Sequence, residues 1–220
     1  MATSKVIRQL ALRLKHSLLL VILCLSVLVA PLSAAISCTL NDPANDVARL
    51  FPESKSFKTN DFSFSSPGGD SRLRKVESRL GGVSALYAPL NVPYTLYECY
   101  KGTEKIGYVH GVNQKGQFGV LEVFLSLDMD GKIKAFYIQR IAGQWANKFT
   151  SAKFGKQFIG LTLKDFERYD LISGKGSGKI AAIVNPVPEA VTDFFGLLRA
   201  VNKNLILMDE FYYSTEKTKP

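Results

Sequence analysis

The segment Asp170–Ile180 is the part of the chain whose residue types could bind an anion. It reads Asp-Leu-Ile-Ser-Gly-Lys-Gly-Ser-Gly-Lys-Ile, so three glycines alternate with Lys175, Ser177 and Lys179. An apolar run follows, which predicts that a helix begins near Ile180. Because the free backbone N–H groups and the dipole of a helix start favour an anion, the segment predicts a phosphate site. A solvated surface loop is the alternative interpretation of the same residues.

The sequence gives little support for catalysis by side chains or for a bound metal. It contains two histidines, His16 and His110, and it lacks a Gly-x-Ser-x-Gly motif. Asp128 and Asp130 suit an Asp-Gly hairpin turn, and the later ligands of a calcium-binding loop are missing. We therefore assign no catalytic residue and no metal ligand, and we predict that His110 lies on the surface of a strand.

The positive charge of the chain is concentrated near its beginning. The formal net charge is +9, and the four basic residues Lys5, Arg8, Arg13 and Lys15 precede the first acid, Asp42. Without these four positive charges, the net charge of +9 falls to +5. The remaining basic residues are scattered and form no recognised nucleic-acid motif, so no nucleic-acid partner is expected. A hydrophobic content of 46% excludes extensive disorder.

The basic residues are followed by an uncharged apolar segment, residues 17–36, which resembles the hydrophobic region of a secretory signal. Three interpretations stay open: cleavage after Ala35, lipidation of Cys38, or retention as a membrane anchor, which takes roughly 20 apolar residues. Each one exports the folded part, to the periplasm or the outer face of the cytoplasmic membrane. A buried core helix would leave the basic, acid-free flank unexplained. Cys38 and Cys99 could pair in an oxidising compartment.

The hydrophobic pattern after the apolar segment predicts a short helix, a group of strands and then more helices. Asn41–Pro43 suits a helix start, and Pro52 ends that helix. Residues 53–72 are rich in Ser, Lys, Gly and Asp, which predicts a linker with at most one short strand at Phe62–Phe64. The predicted domains are 1–37, a signal peptide or membrane anchor; 38–74, a short helix and linker; 75–213, the folded domain; and 214–220, a tail.

Alternating apolar residues and turn residues predict strands from Lys75 to Arg140. Lys101–Glu104 and Asp128–Gly131 are predicted hairpin turns, so the strands pair locally as an antiparallel meander. The predicted strands are Val83–Leu90, Thr95–Tyr100, Lys105–Val109, Val120–Leu127 and Ile133–Gln139.

After Arg140 the spacing of apolar residues becomes helical. Thr162 is a plausible N-cap, Val191–Val201 forms one apolar stripe that predicts core packing, and Leu205–Tyr213 is a predicted final strand. The fold class is therefore α+β: an antiparallel β-meander packed with helices, preceded by an N-terminal signal or anchor helix.

Residues 47–202 contain a series of motifs that resembles the FMN-binding domain family. This family includes the flavin subunits of sodium-pumping NADH:quinone oxidoreductases and of Rnf-type complexes, and the regulator of nitrous-oxide respiration. The motifs are Leu50-Phe51-Pro52, the stretch from Gly107 to Gly119, Asp128-x-Asp130-Gly131-Lys132-Ile133, Phe154-x-x-Gln157-Phe158-x-Gly160 and Asp170-x-x-Ser173-Gly174.

The resemblance implies an exported α+β domain that carries FMN and transfers electrons, with a membrane redox complex or another envelope protein as its partner. In many members the Thr of a Ser-Gly-Ala-Thr motif bonds the FMN phosphate. Ser173 and Gly174 match this motif, Lys175 replaces the Ala, and Gly176 stands where the Thr would be. Because glycine has no hydroxyl, the phosphoester cannot form at Gly176, and Ser177 comes one position late.

Two functional hypotheses follow from the altered motif. In the first, FMN binds non-covalently: Lys175 or Lys179 neutralises the phosphate and the backbone N–H groups of Gly176–Gly178 surround it. Trp145 then packs on the flavin, although core packing is the alternative for this residue. In the second, the domain has lost its cofactor and serves as a scaffold or interaction module of an envelope complex. Both hypotheses describe an electron-transfer or binding domain and not a stand-alone enzyme.

Overall fold

A computed structural model describes residues 38–65, 68–81 and 90–214. Among these residues, no helix combines the length and the apolar character that crossing a membrane requires. The predictions that lie outside the described residues are the signal or anchor segment 1–37, nearly all of the strand Val83–Leu90 and the tail from residue 215 onwards.

Five antiparallel strands form the main sheet, and their order in the sheet is their order in the chain. This arrangement confirms the predicted meander. Turn chemistry explains it, since Gly102 (φ 64°) and Gly131 (φ 76°) occupy left-handed positions in two of the hairpins. The strands are β1 (Ser56–Phe62), β2 (Tyr94–Lys101), β3 (Glu104–Gly116), β4 (Gly119–Asp128) and β5 (Ile133–Arg140).

In the described part of the chain five α-helices pack around the sheet, and two of the helical starts follow the sequence-based expectation. The Asp42 side chain accepts a hydrogen bond from the Asn45 N–H, with Pro43 in the first turn. Thr162 and Asp165 form a capping box before a short 3-10 helix, Leu163–Phe166. The α-helices are α1 (Pro43–Leu50), α2 (Gly69–Arg79), α3 (Ala146–Phe149), α4 (Ala152–Gly155) and α5 (Val191–Met208).

Three expectations about the sheet and the helices that cover it are wrong. The region predicted as a linker contains β1 and the beginning of α2, so Lys75 is helical. The predicted strand Leu205–Tyr213 is the end of α5 followed by a π-helical turn, Asp209–Tyr213. A short run of buried apolar residues suits a strand or a buried helix equally, and here the helix continues. His110 is completely buried, because α5 covers that part of β3.

Both faces of the sheet are buried, which explains why β2, β3 and β4 carry apolar residues on both sides. The long helix α5 packs on one face, where Leu96, Val112 and Val123 join the larger core. The segment around α1 packs on the other face, where Cys38 and Cys99 are buried free thiols of a second cluster. Burial raises the pKa of the Cys99 thiol to about 12 and also raises that of Cys38, so neither is an activated thiolate at neutral pH.

Candidate functional site

The predicted anion-binding segment forms a small two-stranded hairpin. Its strands, β6 (Tyr169–Asp170) and β7 (Lys175–Gly176), pair antiparallel. Asp170 closes the turn: its Oδ2 accepts a hydrogen bond from Ser173 Oγ at 2.7 Å, and its backbone oxygen accepts one from the Gly174 N–H at 2.8 Å. Hydrogen bonds to the carboxylate hold the pKa of Asp170 below its usual value: the one from Ser173 Oγ has the largest effect, followed by those from the Ile172 and Ser173 N–H groups.

The expectation that a helix begins near Ile180 is wrong. Turns and irregular backbone follow the hairpin, and the next helix is α5, which begins at Val191. The predicted helix-dipole contribution to anion binding is therefore absent at this segment. The apolar residues Ile180 and Ile183 are instead buried as separate contacts with the core.

The structure brings six of the seven predicted site residues together on the hairpin and the residues just after it. The Ser177 N–H already donates to the Arg168 backbone oxygen at 3.0 Å, and Lys179 Nζ lies 3.1 Å from Asp165 Oδ1. The Lys175 side chain is exposed and has no ion-pair partner among the described residues. Lys175 is therefore the cation of the hairpin that is available to an anionic ligand.

Trp145, the seventh predicted site residue, lies on a different element. It precedes α3, shortly after the end of β5, and its half-buried ring packs against the larger core. Trp145 therefore makes the core contacts that the alternative interpretation of this residue predicts.

Gly176 has no space for a side chain. Its φ is 155°, and a Cβ atom there would lie 2.4 Å from the Arg168 backbone oxygen and 2.6 Å from the Tyr169 Cα. Both of these atoms belong to the backbone beside β6, so they cannot move away as a flexible side chain could. The position where the resemblance would place the attachment Thr thus has space for glycine only.

A cleft of about 370 Å³ lies beside the hairpin, and sequence reasoning did not find it. Its walls are the β6 side of the hairpin, the end of α2, one side of α5 and the 3-10 helix Leu163–Phe166. Phe166 and Tyr169 provide aromatic surface, while Leu171 and Ile172 provide aliphatic surface. Ile172 is 65% exposed and lies at the border of the cleft.

Ion pairs and hydrogen bonds hold the walls of the cleft in place. Arg79 at the end of α2 pairs with Asp209 at 2.8 Å and also with the buried Glu210. Arg199 of α5 donates from Nε and Nη2 to the Leu171 backbone oxygen, at 3.2 and 3.0 Å. Because each contact joins residues far apart in the sequence, no local pattern could have predicted them.

A smaller cavity of about 30 Å³ lies next to the cleft, and Leu171, Ile172 and Asn202 line both spaces. Gln114 of β3 and Lys203 of α5 also line this cavity. Lys203 is 4% exposed, and its Nζ donates to the Asn113 backbone oxygen at 3.1 Å. Burial lowers the pKa of the Lys203 ammonium to about 8.

A buried polar pair lies next to Lys203 along the contact between α5 and β3. Asn204 Oδ1 lies 3.1 Å from His110 Nδ1, and the Asn204 amide donates to the His110 backbone oxygen at 2.7 Å. Burial lowers the pKa of His110 to about 4, so its imidazole is neutral at pH 7. These contacts position β3 and α5 beside the small cavity, and the His110 Nε2 atom is buried without a hydrogen-bond partner in the described part of the chain.

A second cleft, of about 380 Å³, lies at the edge strand β5. It is lined by Lys134 and Lys156 and by Ile159, whose side chain is 47% exposed. Arg49 also lines it, with the guanidinium carbon 4.0 Å from the centre of the Tyr137 ring. This surface combines apolar and basic groups, as many protein-binding surfaces do.

Comparison with solved structures finds a match to the crystal structure of NqrC from Shewanella oneidensis. The TM-score is 0.51 and the sequence identity is 15%, and the match covers 84% of this chain and 94% of that chain. No protein-family model matches the sequence, and no curated protein does so either. At this identity the match concerns the fold alone. The chain therefore has an NqrC-like fold, with a five-stranded antiparallel sheet between helices.

Proposed function

We propose that the protein is an exported FMN-binding electron-transfer domain that holds FMN non-covalently. The observation that carries this proposal is the cleft of about 370 Å³, because one of its walls is the hairpin that corresponds to the flavin-attachment loop. The NqrC-like fold also supports the proposal. It agrees with the sequence motifs, which resemble a family that includes flavin subunits of sodium-pumping complexes. Bound FMN supplies the redox chemistry, and the chain binds, orients and shields it.

The residues present fit a flavin that is bound without a covalent link. The cleft volume falls in the range of about 300 to 1,000 Å³ that is usual for ligand sites. Phe166, Tyr169 and Leu171 offer apolar surface to a flat aromatic ring, in a lining that also contains polar groups such as Glu167 and Asn202. The space excludes water from the ring only in part, because the exposed Ile172 lies at its border.

The hairpin residues predicted from the sequence are the proposed phosphate contacts. The exposed Lys175 ammonium supplies the positive charge, and Ser173, Gly174 and Ser177 present small groups that allow close approach. Lys179 contributes to the local positive potential although it is paired with Asp165. Trp145 stays a sequence-based prediction, and it is not among the described residues that line the cleft.

A cofactor-free interaction module is the second candidate function. It is favoured by the sterically closed position at Gly176 and by the second cleft, where Lys134, Lys156 and Ile159 form an apolar and basic surface. A partner with acidic groups at its contact surface would suit this cleft. Both candidates agree with a membrane redox complex or another envelope protein as the partner, and with the location proposed from the N-terminal segment.

The two candidates differ in the visible spectrum of the purified full-length chain. We expect a yellow protein, or one that becomes yellow with added FMN, whose colour is released into the supernatant by acid precipitation. Colour that stays with the acid pellet would contradict the absence of a covalent bond at Gly176. A protein that remains colourless and ignores added FMN would favour the cofactor-free module.

Lys175→Glu tests the proposed phosphate contact. We expect the substitution to weaken FMN binding about tenfold, because a carboxylate would repel the phosphate that the ammonium attracts. Riboflavin, which lacks the phosphate, should bind the variant as it binds the wild type. Lys153→Glu makes the same charge change at an exposed position on α4 and is the matched control. Equal FMN affinities for the two variants would remove Lys175 from the site.

A further inference from the structure

We infer that Gln114, Asn202 and Lys203 form the inner, polar end of the flavin site and receive the pyrimidine edge of the isoalloxazine ring. This inference rests on the proposed function and adds the orientation of the ligand. The pyrimidine edge carries the C2 carbonyl, the N3–H and the C4 carbonyl, so it needs both donors and acceptors. The rest of the ligand then occupies the larger cleft, and its phosphate stays outside the small cavity.

The positions of the two spaces support this orientation. The small cavity borders the cleft, because Leu80, Leu171, Ile172 and Asn202 line both. Its volume of about 30 Å³ is enough for about two water-sized groups, since one water needs roughly 10 to 15 Å³ of cavity volume. A polar ring edge with two carbonyl oxygens matches this size, whereas the rest of the ring needs the larger cleft.

Lys203 carries a buried charge that the protein does not neutralise. Its side chain is 4% exposed, and none of the salt bridges among the described residues includes it. Its hydrogen bond to the Asn113 backbone oxygen uses one of three ammonium donors. A buried ammonium without a carboxylate is costly, and a carbonyl of a ligand would satisfy a second donor.

Gln114 is the second buried polar group that faces the cavity. Its residue is 5% exposed, and it lines the small cavity. The amides of Gln114 and Asn202 offer donors and acceptors together, which is the combination that an edge with two carbonyls and one N–H can satisfy.

The position of Lys203 also predicts an effect on the redox properties of the flavin. A positive charge near the pyrimidine edge stabilises the negative charge that the ring gains on reduction. Arg199 lines the same cavity, and no acidic residue of the described chain does. Lys203 is therefore a positioning and tuning residue, and the electrons pass to and from the cofactor.

Lys203→Met tests this arrangement, because methionine keeps much of the side-chain volume and removes the charge. We expect the affinity for FMN and the affinity for riboflavin to fall by the same factor, about tenfold or more, since both ligands contain the ring. The midpoint potential of the bound flavin should become more negative. The thermal midpoint of the ligand-free variant should be unchanged or higher, because an unneutralised buried charge has been removed.

Gln114→Leu is the second variant, and it should lower both affinities without changing the charge. Lys175→Glu is the contrasting control, which should affect FMN but not riboflavin. A wild type that binds flavin while Lys203→Met keeps its affinity and potential would overturn the inference and leave the proposed function intact. An effect of Lys203→Met on FMN alone would also overturn it, since that result places the phosphate there. A wild type that binds neither flavin contradicts both.

Discussion

Replacing Gly107 with Ala should destabilise the folded domain by about 3 kcal/mol. Gly107 lies in β3 with a φ of 158°. A Cβ atom there would lie 2.2 Å from the Leu127 backbone oxygen and 2.6 Å from the Phe51 ring. Leu127 belongs to the neighbouring strand β4 and Phe51 to the cluster around α1, so relief of the overlap would disturb both the sheet and its covering layer.

Gly102→Ala is the matched control for this substitution. Gly102 also has a positive φ, 64°, but a Cβ atom added there would have no other atom within 4 Å apart from those of its chain neighbours. We therefore expect a cost of about 1 kcal/mol from backbone strain alone. Thermal unfolding of both full-length variants, followed by circular dichroism, should give a midpoint about 10 °C lower for Gly107→Ala than for the wild type. Similar midpoints for the two variants would show that the close contact at Gly107 does not add to the stability cost of the substitution.

Replacing Gly176 with Thr should not restore a covalent flavin and should weaken non-covalent binding at least tenfold. The new Cβ would overlap the Arg168 backbone oxygen and the Tyr169 Cα, so β7 would have to separate from β6. Tyr169 and Leu171 form part of the cleft wall, and their displacement would remove contacts with the ring. The measurements are FMN affinity and the flavin content of the acid-precipitated pellet.

Gly178→Thr serves as the control for the hairpin. Gly178 has a φ of 87°, and its virtual Cβ has no atom within 4 Å. Threonine there introduces the same hydroxyl and a similar backbone strain without the overlap. We expect the Gly178 variant to keep most of its FMN affinity. Flavin that stays in the acid pellet of the Gly176 variant would show that the hairpin adapts and that only the missing hydroxyl prevents attachment.

Strands β2 to β5 were predictable from the sequence because the information that defines them is local, whereas β1 lies in the region predicted as a linker. Asp128 and Gly131 fix one hairpin: Asp128 Oδ1 accepts hydrogen bonds from the Asp130 and Lys132 N–H groups, at 3.0 and 2.9 Å. Alternating residues on each side of such a turn then determine which strands are neighbours. The start of α1 was predictable for the same reason, since Asp42 and its partner Asn45 are three residues apart.

The end of the chain and the cleft were not predictable, because contacts between distant segments determine them. The apolar run Leu205–Met208 suits a strand by composition, and only packing against the sheet shows that it is helical. Arg79 and Glu210 fix one wall of the cleft although they are far apart in the sequence. The family resemblance drew attention to residues 170–180 without predicting their hairpin, and it gave no information about Lys203, which belongs to no motif.

Titration of the full-length chain with FMN, followed by quenching of flavin fluorescence, tests the central claim most directly. We predict saturable binding of one FMN per chain, weaker binding of riboflavin, and complete release of the flavin on acid precipitation. The difference between the two ligands measures the phosphate contact, and the riboflavin affinity measures the ring site. The absence of saturable FMN binding at concentrations up to about 1 mM would contradict the assignment of a flavin site. A dissociation constant above about 1 mM corresponds to a binding free energy of no more than about 4 kcal/mol.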